Sequence, residues 1–340
     1  MNWPKVTVVT PSYNQAEYLE AAICSVLDQN YPNLEYFVYD GGSTDGSVEI
    51  IKKYADRIDY WVSEPDGGQA AAINRGFTRA TGDIVAWLNS DDLYRPNAIR
   101  NAVRVLQANP EAPVAHGNVD WIDQHGQPIG TSVNNVVRHP TINDLLTIGC
   151  VIQQPSAFIQ SWAVQTAGLL DASLYYCLDY EWWFRLRQLG EFAFIDDGSL
   201  AAVNFQPNAK TFDIPLKLVQ EMYSVSQRHG GNGLEMGVSS LTLRWQGLQT
   251  RSLEEQVALF SAEMRDPDYL TLPDDLVKAM QPKLANIWAE LAFTLATQRQ
   301  DKQAASAMRR AVLHKPRFLT NRGVLAILWR SLRPRPAVGL

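Results

Sequence analysis

The sequence of 340 residues is poor in cysteine and has no long hydrophobic run. Its three cysteines, Cys24, Cys150 and Cys177, lie far apart and form no CxxC pair. This spacing argues against a disulfide framework or a zinc site and favours a reducing compartment. No stretch reaches about 18 uninterrupted apolar residues, so we expect no transmembrane helix. The N-terminus lacks the pattern of a leader peptide, which predicts a protein of the cytoplasm, either free or peripheral on the inner face of the plasma membrane.

An excess of positive charge is also missing. The chain has 30 Lys and Arg against 36 Asp and Glu, with 46% apolar and 19% charged residues. These values indicate a globular protein of about two domains and exclude disordered, collagen-like and strongly basic nucleic-acid-binding classes. The charge is nevertheless uneven: residues 302–340 hold nine basic residues and no acidic one, so the rest of the chain has 21 basic and 36 acidic residues.

Common phosphate-binding and zinc motifs are absent. No GxGxxG follows a predicted strand, and neither GxxxxGK[ST] nor HExxH occurs. These absences exclude the dinucleotide fingerprint, the P-loop and the common zinc-peptidase helix. A bound diphosphate would therefore need another source of positive charge.

Strand and helix patterns alternate through the first 110 residues. The strand-like runs are Val6–Thr10, Tyr36–Tyr39, Tyr60–Val62 and Ile84–Leu88, and a helical pattern follows each. This alternation predicts an α/β fold with a mostly parallel sheet flanked by helices. Because the crossovers are right-handed, the carboxyl ends of the strands meet along one edge, where ligands of such sheets bind.

The pattern changes beyond residue 113. Strands are predicted at Val114–Ile122, Ser156–Ile159 and Phe192–Ile195, with a helix at Tyr180–Leu189. From about residue 216 the sequence becomes helical. We therefore expect a first domain over residues 1–215, with a change of pattern at about residue 113, and a helical region over 216–340.

One segment of the helical region has the spacing of a tetratricopeptide repeat over residues 285–318. The matching positions are Trp288, Leu291, Ala292, Leu295, Ala304, Met308, Ala311 and Pro316. Such repeats need about three copies to bury a continuous core, and one copy is visible. A helical hairpin that has the same spacing is therefore the alternative interpretation.

Carboxylates recur after the predicted strands. Asp40 ends the second strand, Asp66 follows the third, and Asp91 and Asp92 follow the fourth. A single such residue is commonly a helix cap or a turn former. Several at one sheet edge repel one another unless a cation or hydrogen-bond donors lie between them. A hard cation such as Mg²⁺ or Mn²⁺, bridging one or two carboxylates to a diphosphate, satisfies this requirement and leaves Asp40 and Asp66 to accept hydrogen bonds from a base or ribose.

Seven motifs in order resemble the inverting family-two glycosyltransferases, which have the GT-A fold. The motifs, which span about residues 5–211, are Thr10–Asn14, Asp40–Asp45, Asp66–Gln69 with Ala72–Gly76, Asn89–Asp92, Gln154–Ser156, Gly168–Asp171 and Leu178–Leu186. Each motif alone is weak, but the ordered set is specific. The resemblance implies a nucleotide diphosphate sugar as donor, with uridine as the family's commonest base. It also implies a donor half at about residues 1–112 and an acceptor half at about 113–215.

The resemblance also assigns residues to roles. The implied donor-binding residues are Thr10, Pro11, Asp40, Asp66, Gln69, Asn74, Asn89 and Asp92. Asp91 is expected to hold Mg²⁺ or Mn²⁺, because Asn89-Ser90-Asp91 stands at the family's D-x-D motif. Asp179 stands at the position of the family's catalytic base, although Leu178 replaces the preceding Glu. Inversion is one in-line displacement, in which such a base takes the proton of the attacking hydroxyl.

Two further departures shape the expected reaction. Gln206 stands where many relatives have a His, and Lys210 is a candidate to compensate for it. The Q-x-x-R-W motif of polymerising relatives is absent, which favours transfer of one sugar to a glycan or polyprenyl-linked acceptor. Aromatic residues beside Asp179 suit stacking on a sugar, and Tyr176 and Trp182 are the candidates to face the acceptor.

Two alternatives remain open. The replacements at Asn89 and Gln206 suit a decayed transferase that serves as a binding or scaffold protein, whereas the presence of Asp91 and Asp179 favours an enzyme. A nucleotidyltransferase would need an N-terminal glycine-rich loop that the sequence lacks. The basic tail has two interpretations of its own: an amphipathic anchor on an anionic membrane, or a packed terminal helix with a solvated basic face.

Overall fold

The computed structural model describes residues 3–133, 136–204, 216–248, 255 and 272–330, and the side chains of 241–248 and 330 are outside this description. The chain forms two compact units, Met1–Phe212 and Asp213–Leu340. Gln206 and Lys210 lie outside the described residues, as does the end of the basic tail beyond residue 330.

The first unit begins with four parallel strands in the order β3-β2-β1-β4. The elements are β1 (Val6–Ser12), α1 (Ala16–Leu27), β2 (Leu34–Asp40), α2 (Ser47–Lys53), β3 (Tyr60–Ser63), α3 (Gln69–Arg79) and β4 (Ile84–Trp87). Every residue of β1 is buried, as its β-branched run predicts for the centre of a parallel sheet. The predicted α/β architecture is confirmed, and the four strand ends lie on one edge.

The second half of this unit extends the same sheet with mixed pairing. Its elements are β5 (Leu93–Tyr94), α4 (Ala98–Ala108), β6 (Val114–Ile122), β7 (Pro128–Thr131), α5 (Ile142–Thr147), β8 (Phe158–Gln160), α6 (Ser161–Ala167), α7 (Leu178–Arg187) and β9 (Ala193–Asn204). The strand order beyond β4 is β8-β6-β9-β5, and β7 pairs with β6. β8 is antiparallel to both β4 and β6, whereas β9 is parallel to β6.

The structure differs from the predicted elements at one long strand. The sequence indicates a strand only over Phe192–Ile195, but β9 continues to Asn204. The intervening Asp196 and Asp197 are exposed, and Gly198 has a φ of 84°, so the local sequence has the character of a turn. The register between β6 and β9 shifts at this point, which lets the strand continue past the irregularity.

The second unit is helical where it is described. Its helices are α8 (Leu216–Arg228), α9 (Gly233–Leu248), α10 (Asp274–Thr297), α11 (Asp301–His314) and α12 (Arg322–Arg330). The end of α10 and all of α11 form a hairpin at the predicted tetratricopeptide-like position. Trp288, Leu291 and Met308 of this hairpin lie in one buried cluster. The relation to tetratricopeptide repeats stays a prediction. In the described part of the chain, no helix has both the length and the apolarity that a membrane span requires.

Candidate functional site

A cavity of about 730 Å³ opens at the carboxyl edge of the parallel strands. Loops after β1, β2, β3 and β4 supply most of its wall, and the segment before α7 supplies the rest. The lining residues are Pro11, Ser12, Tyr13, Gln15, Gly41, Pro65, Asp66, Gly67, Gly68, Gln69, Ala72, Asn89, Ser90, Asp91, Tyr175 and Tyr176. The cavity therefore lies where the topology of a parallel sheet predicts a ligand site. Of the predicted donor-binding and metal-binding residues, Pro11, Asp66, Gln69, Asn89 and Asp91 line it.

The loop that follows β2 is built around Asp40. This residue is only 1% exposed. Its Oδ2 accepts hydrogen bonds from the backbone N–H groups of Gly42 and Ser43 at 3.1 and 2.9 Å and from the Ser63 hydroxyl at 2.6 Å. The Ser43 hydroxyl donates to Oδ1 at 2.5 Å. The carboxylate thus fixes the loop from beneath, and the neighbouring Gly41 forms the cavity wall. A direct contact of Asp40 with the nucleobase stays a prediction.

Thr10 does not reach the cavity. Its side chain is fully buried within β1, and its hydroxyl pairs with the Tyr36 hydroxyl at 3.0 Å. The structure therefore places the Thr10 side chain in the core, against the expectation that it lines the nucleotide pocket, because it packs within the sheet against Tyr36. The lining residues of this segment begin one position later, at Pro11.

Asn74 connects two segments next to the cavity. Its Nδ2 donates to the carbonyl of Leu170 at 2.9 Å, and the N–H of Leu170 donates to its Oδ1 at 3.0 Å. Asn74 is absent from the cavity lining. The pair of hydrogen bonds attaches α3 to the segment that leads into α7, so Asn74 braces the site. Its contact with the donor stays a prediction.

Amides and a buried carboxylate form a network behind Asn89. Gln69 donates to Oδ1 of Asn89 at 2.9 Å, and Nδ2 of Asn89 lies 3.1 Å from Oδ2 of Asp92 and 3.3 Å from Oε1 of Gln154. Gln154 in turn donates to the carbonyl of Trp87 at 2.8 Å. Gln154 is a site residue that the sequence did not single out, although it begins one of the seven motifs. The network holds Asn89 in place at the end of β4.

Asp91 and Asp92 occupy different environments. Asp91 lines the cavity, whereas Asp92 is buried behind it. Burial raises the pKa of Asp92 well above its ordinary value, and the adjacent charge of Asp91 raises it further. The cavity wall includes the carboxylates of Asp66 and Asp91 and, among the described residues, no Lys, Arg or His. A diphosphate that enters this cavity would therefore meet negative charge.

The residues at this edge suit a divalent cation that is shared with a ligand. No group of three or more His, Cys, Asp or Glu side chains among the described residues is arranged to hold a metal ion. Mg²⁺ and Mn²⁺, however, are commonly held by one or two carboxylates together with phosphate oxygens and water. Asp91, which lines the cavity, provides such a carboxylate. Carboxylate oxygens of this kind are the ligands that a hard cation prefers.

Asp179 lies in the first turn of α7. Its Oδ1 accepts the N–H of Tyr180 at 2.7 Å, and its Oδ2 lies 3.7 Å from the Cys150 sulfur. Asp179 is half-buried and is not among the lining residues, but Tyr176, three positions earlier, is. The sequence did not indicate the contact with Cys150, because the two residues belong to segments 29 positions apart.

The two aromatic candidates for acceptor binding differ in position. Tyr176 lines the cavity with Tyr175, and their rings meet edge to face at 4.8 Å. Trp182 is 0% exposed, stacks on Phe77 at 5.7 Å, and donates its indole N–H to the carbonyl of Gly168. Trp182 is therefore a core residue, and its expected role at the acceptor is wrong. Residues 178–187 form a helix, which turns this side chain inward.

Two polar side chains of the cavity wall were missed by the sequence analysis. Ser12 and Gln15 both line the cavity. The Ser12 hydroxyl and Oε1 of Gln15 are buried and have no hydrogen-bond partner in the structure. Buried polar atoms normally have partners, so these two are exceptions within the cavity wall. Both belong to the Pro11–Gln15 segment, in which the resemblance had pointed only to Pro11.

A family model described as Glycosyl transferase family 2 matches residues 7–161. An uncharacterized glycosyltransferase of Rickettsia typhi is 31% identical over 201 residues, which are 56% of this chain and 61% of that relative. The chain thus spans about three fifths of the length of this curated relative. A putative teichuronic acid biosynthesis glycosyltransferase of Bacillus subtilis, TuaG, is 38% identical over 109 residues, which are 31% of this chain and 43% of TuaG.

Solved structures share the fold at low sequence identity. S. aureus TarS 1–349 in complex with UDP-GlcNAc has a TM-score of 0.53 at 14% identity and covers 98% of this chain and 93% of its own. A mannosyltransferase of Pyrobaculum calidifontis, PcManGT, in complex with GDP-Man and Mn²⁺ has a TM-score of 0.52 at 18% identity and covers 99% and 89%. These likenesses confirm the predicted GT-A fold.

Proposed function

We propose that the chain, whose residues 7–161 match the model described as Glycosyl transferase family 2, transfers one sugar from a nucleotide diphosphate sugar to a hydroxyl of a glycan or lipid-linked acceptor. The observation that carries the proposal is the cavity of about 730 Å³ at the carboxyl ends of four parallel strands, walled by Asp66, Asn89 and Asp91. We further propose that the transfer depends on a divalent metal and inverts the anomeric configuration.

The charge of the cavity wall supports metal dependence. Asp66 and Asp91 face a ligand that is itself anionic, and the described wall contributes no basic side chain. Asp91 would hold Mg²⁺ or Mn²⁺. When bound, such an ion supplies positive charge that stabilises the diphosphate as it leaves. PcManGT was solved with Mn²⁺, which favours the same class of ion here.

Asp179 is proposed as the general base. The acceptor hydroxyl attacks the anomeric carbon, its proton passes to the Asp179 carboxylate, and the bond from that carbon to the diphosphate oxygen breaks on the opposite face. A base in this position typically contributes about 10²–10⁴-fold to the rate. Tyr176 lines the cavity and precedes Asp179 by three positions in the chain, and we assign it to contact with the acceptor.

Uridine is the proposed base of the donor. The TarS structure holds UDP-GlcNAc, and its fold matches this chain. Ser12 and Gln15 contribute polar side chains to the wall of the same cavity. TuaG carries a name from teichuronic acid biosynthesis, which favours a role of this chain in bacterial surface polysaccharide synthesis on the cytoplasmic side.

One observation favours the alternative of a decayed transferase. The Asn89 amide is engaged by Gln69, Asp92 and Gln154, and is therefore committed to the protein itself. A binding protein with this fold would still take up the donor but would not turn it over.

Release of nucleoside diphosphate from a panel of donors, with Mn²⁺, Mg²⁺ or chelator, separates these possibilities. We expect metal-dependent release with one donor class and its loss in Asp91→Ala. The matched control is Asp56→Ala, which removes an exposed carboxylate that does not line the cavity. If the wild type shows neither turnover nor metal-dependent donor binding, and Asp91→Ala behaves identically, the enzyme proposal is wrong. Donor binding without turnover would support the decayed transferase.

A further inference from the structure

Large apolar side chains are exposed at the end of the second unit. Leu313 is 79% exposed, Leu319 47%, Leu325 46% and Trp329 58%. They belong to the end of α11, a short 3₁₀ turn at Pro316–Thr320, and α12. Single exposed apolar residues are ordinary on a protein surface, but four within 17 residues call for a physical explanation.

Both faces of helix α12 carry apolar residues. Val324 and Ile327 point inward and belong to the buried cluster of the second unit. The opposite face consists of Arg322, Leu325, Ala326 and Trp329, and all four are exposed. Their spacing of three, four and seven positions places them on one side of the helix. We refer to these four residues as the α12 face.

Positive charge accompanies this apolar surface. Between residues 302 and 330 the sequence has seven Lys and Arg and no Asp or Glu. Arg309, Arg317 and Arg322 are exposed, and within the described ranges none of them pairs with a carboxylate. The described part of the second unit therefore does not neutralise their charges. An apolar strip bordered by such cations is complementary to a surface that is anionic outside and apolar beneath.

We propose that the α12 face binds the surface of an anionic lipid bilayer. Leu325 and Trp329 would enter the boundary between headgroups and acyl chains, where tryptophan is favoured, while Arg317 and Arg322 pair with lipid phosphates. The absence of acidic residues across residues 302–330 favours this occupant over a neutral protein surface. The proposal does not depend on the glycosyltransferase activity, although a bilayer would bring the chain to a lipid-linked acceptor.

Flotation with vesicles tests the proposal. The full chain is mixed with vesicles of phosphatidylcholine alone or with 30% phosphatidylglycerol (about a third of the lipid, to give a clear surface potential), at low and high salt. We expect flotation only with the anionic vesicles and its loss at high salt, because screening weakens attraction to the headgroups.

Two variants locate the binding surface. Loss of each cation near an anionic bilayer lowers partitioning about fivefold, so Arg317→Glu with Arg322→Glu is expected to weaken binding at least about twentyfold. Leu325→Ser with Trp329→Ser removes the apolar part and is expected to weaken binding at unchanged net charge. The matched control, Lys52→Glu with Lys53→Glu on α2, changes the net charge equally at exposed positions of the first unit and is expected to bind like the wild type.

Several outcomes would overturn the proposal. These are no flotation of the wild type, binding by both α12 variants that equals that of the wild type, or a loss of binding in the α2 control that equals the loss in the α12 variants. Loss of binding on deletion of residues 331–340 alone, with the α12 variants unaffected, would move the site out of α12. A wild-type dimer that becomes a monomer in Leu325→Ser with Trp329→Ser, without vesicle binding, would identify a second copy as the occupant. Circular dichroism checks that each variant is folded, and diphosphate release with a water-soluble acceptor reports separately on the proposed activity.

Discussion

The sulfur of Cys150 lies 3.7 Å from Oδ2 of Asp179, on the opposite oxygen from the backbone N–H of Tyr180. Packing around the sulfur raises the pKa of the Cys150 thiol, and the charge of Asp179 raises it further. The thiol therefore stays protonated at neutral pH and can donate to the carboxylate. Two donors, one on each oxygen, hold the proposed base in a defined orientation.

Replacement of Asp179 by Asn should lower kcat about 10²–10⁴-fold while the affinity for the donor is retained, because only proton transfer is lost.

Replacement of Cys150 by Ala should leave turnover measurable but shift the acidic limb of the pH–rate profile upward, since a carboxylate that loses a hydrogen-bond donor has a higher pKa. Cys150→Ser keeps a donor and serves as the control. An unchanged profile in Cys150→Ala would show that the thiol does not act on the base.

Trp182 and Tyr176 should respond in opposite ways to truncation. Trp182→Ala removes a fully buried indole and should lower the free energy of unfolding by about 3–5 kcal/mol in denaturant titrations. Tyr176→Ala should change stability by less than about 1 kcal/mol but raise the KM for the acceptor, because its ring lines the cavity. A stable Trp182→Ala protein with a raised acceptor KM would restore the role at the acceptor that the sequence suggested.

Glu35 should make the stability of the first unit sensitive to acid. Burial tends to raise its pKa, but hydrogen bonds from Lys5, Thr7 and Thr81 outweigh this effect and lower the pKa from 4.5 to about 2. The contribution is therefore present above pH 4.5 and is lost as the pH falls towards 2. It amounts to about 3 kcal/mol at neutral pH, from about 1.4 kcal/mol per pKa unit.

Thermal unfolding of Glu35→Gln between pH 2 and 7 measures this contribution. The variant should unfold at lower temperature at pH 7 and approach the wild type near pH 2. Glu49→Gln, at a side chain that is 71% exposed, is the control and should follow the wild type throughout. A constant difference between Glu35→Gln and the wild type across this range would contradict the assignment.

Gly76 should tolerate no side chain while Val9 is present. A Cβ on Gly76 would lie 2.5 and 2.6 Å from the two γ-carbons of Val9, so α3 packs directly on β1. Gly76→Ala should destabilise the unit by about 1–3 kcal/mol despite the better helix propensity of alanine. In a double-mutant cycle, Val9→Ala should relieve much of this loss. Additive losses would place the cause elsewhere.

The sequence predicts the first half of the fold well, because each strand there carries a β-branched or aromatic run. The strand prediction at Val114–Ile122 is also confirmed. The two-residue β5 and the exposed β7 are too short or too polar to show a strand pattern. The sequence predicts only the first part of β9, because Asp196, Asp197 and Gly198 have the character of a turn. The pairing of β9 with β6 shows that the strand continues.

The site is predictable to the extent that strand ends determine it. Asp66, Asn89 and Asp91 follow strands and line the cavity as expected from their positions. The orientation of a side chain within an element is harder to predict. This difficulty explains why the sequence analysis assigned Thr10 and Trp182 to the site although both are core residues. Contacts between distant segments, such as Cys150 with Asp179, leave no periodic signal in the sequence. The assigned roles of the lining residues in donor and metal binding stay predictions.

The position of β4 affects the order in which the chain can fold during synthesis. One side of β4 pairs with β1, which precedes it, but the other side pairs with β8, which begins 71 residues after β4 ends (87 to 158). At about 5–20 residues per second, the ribosome needs about 4–14 s to make that stretch. During this interval the apolar Ile84–Trp87 strand has an open edge, the kind of surface that promotes aggregation and recruits chaperones. A nascent chain stalled before residue 158 should therefore bind a chaperone that the completed unit releases.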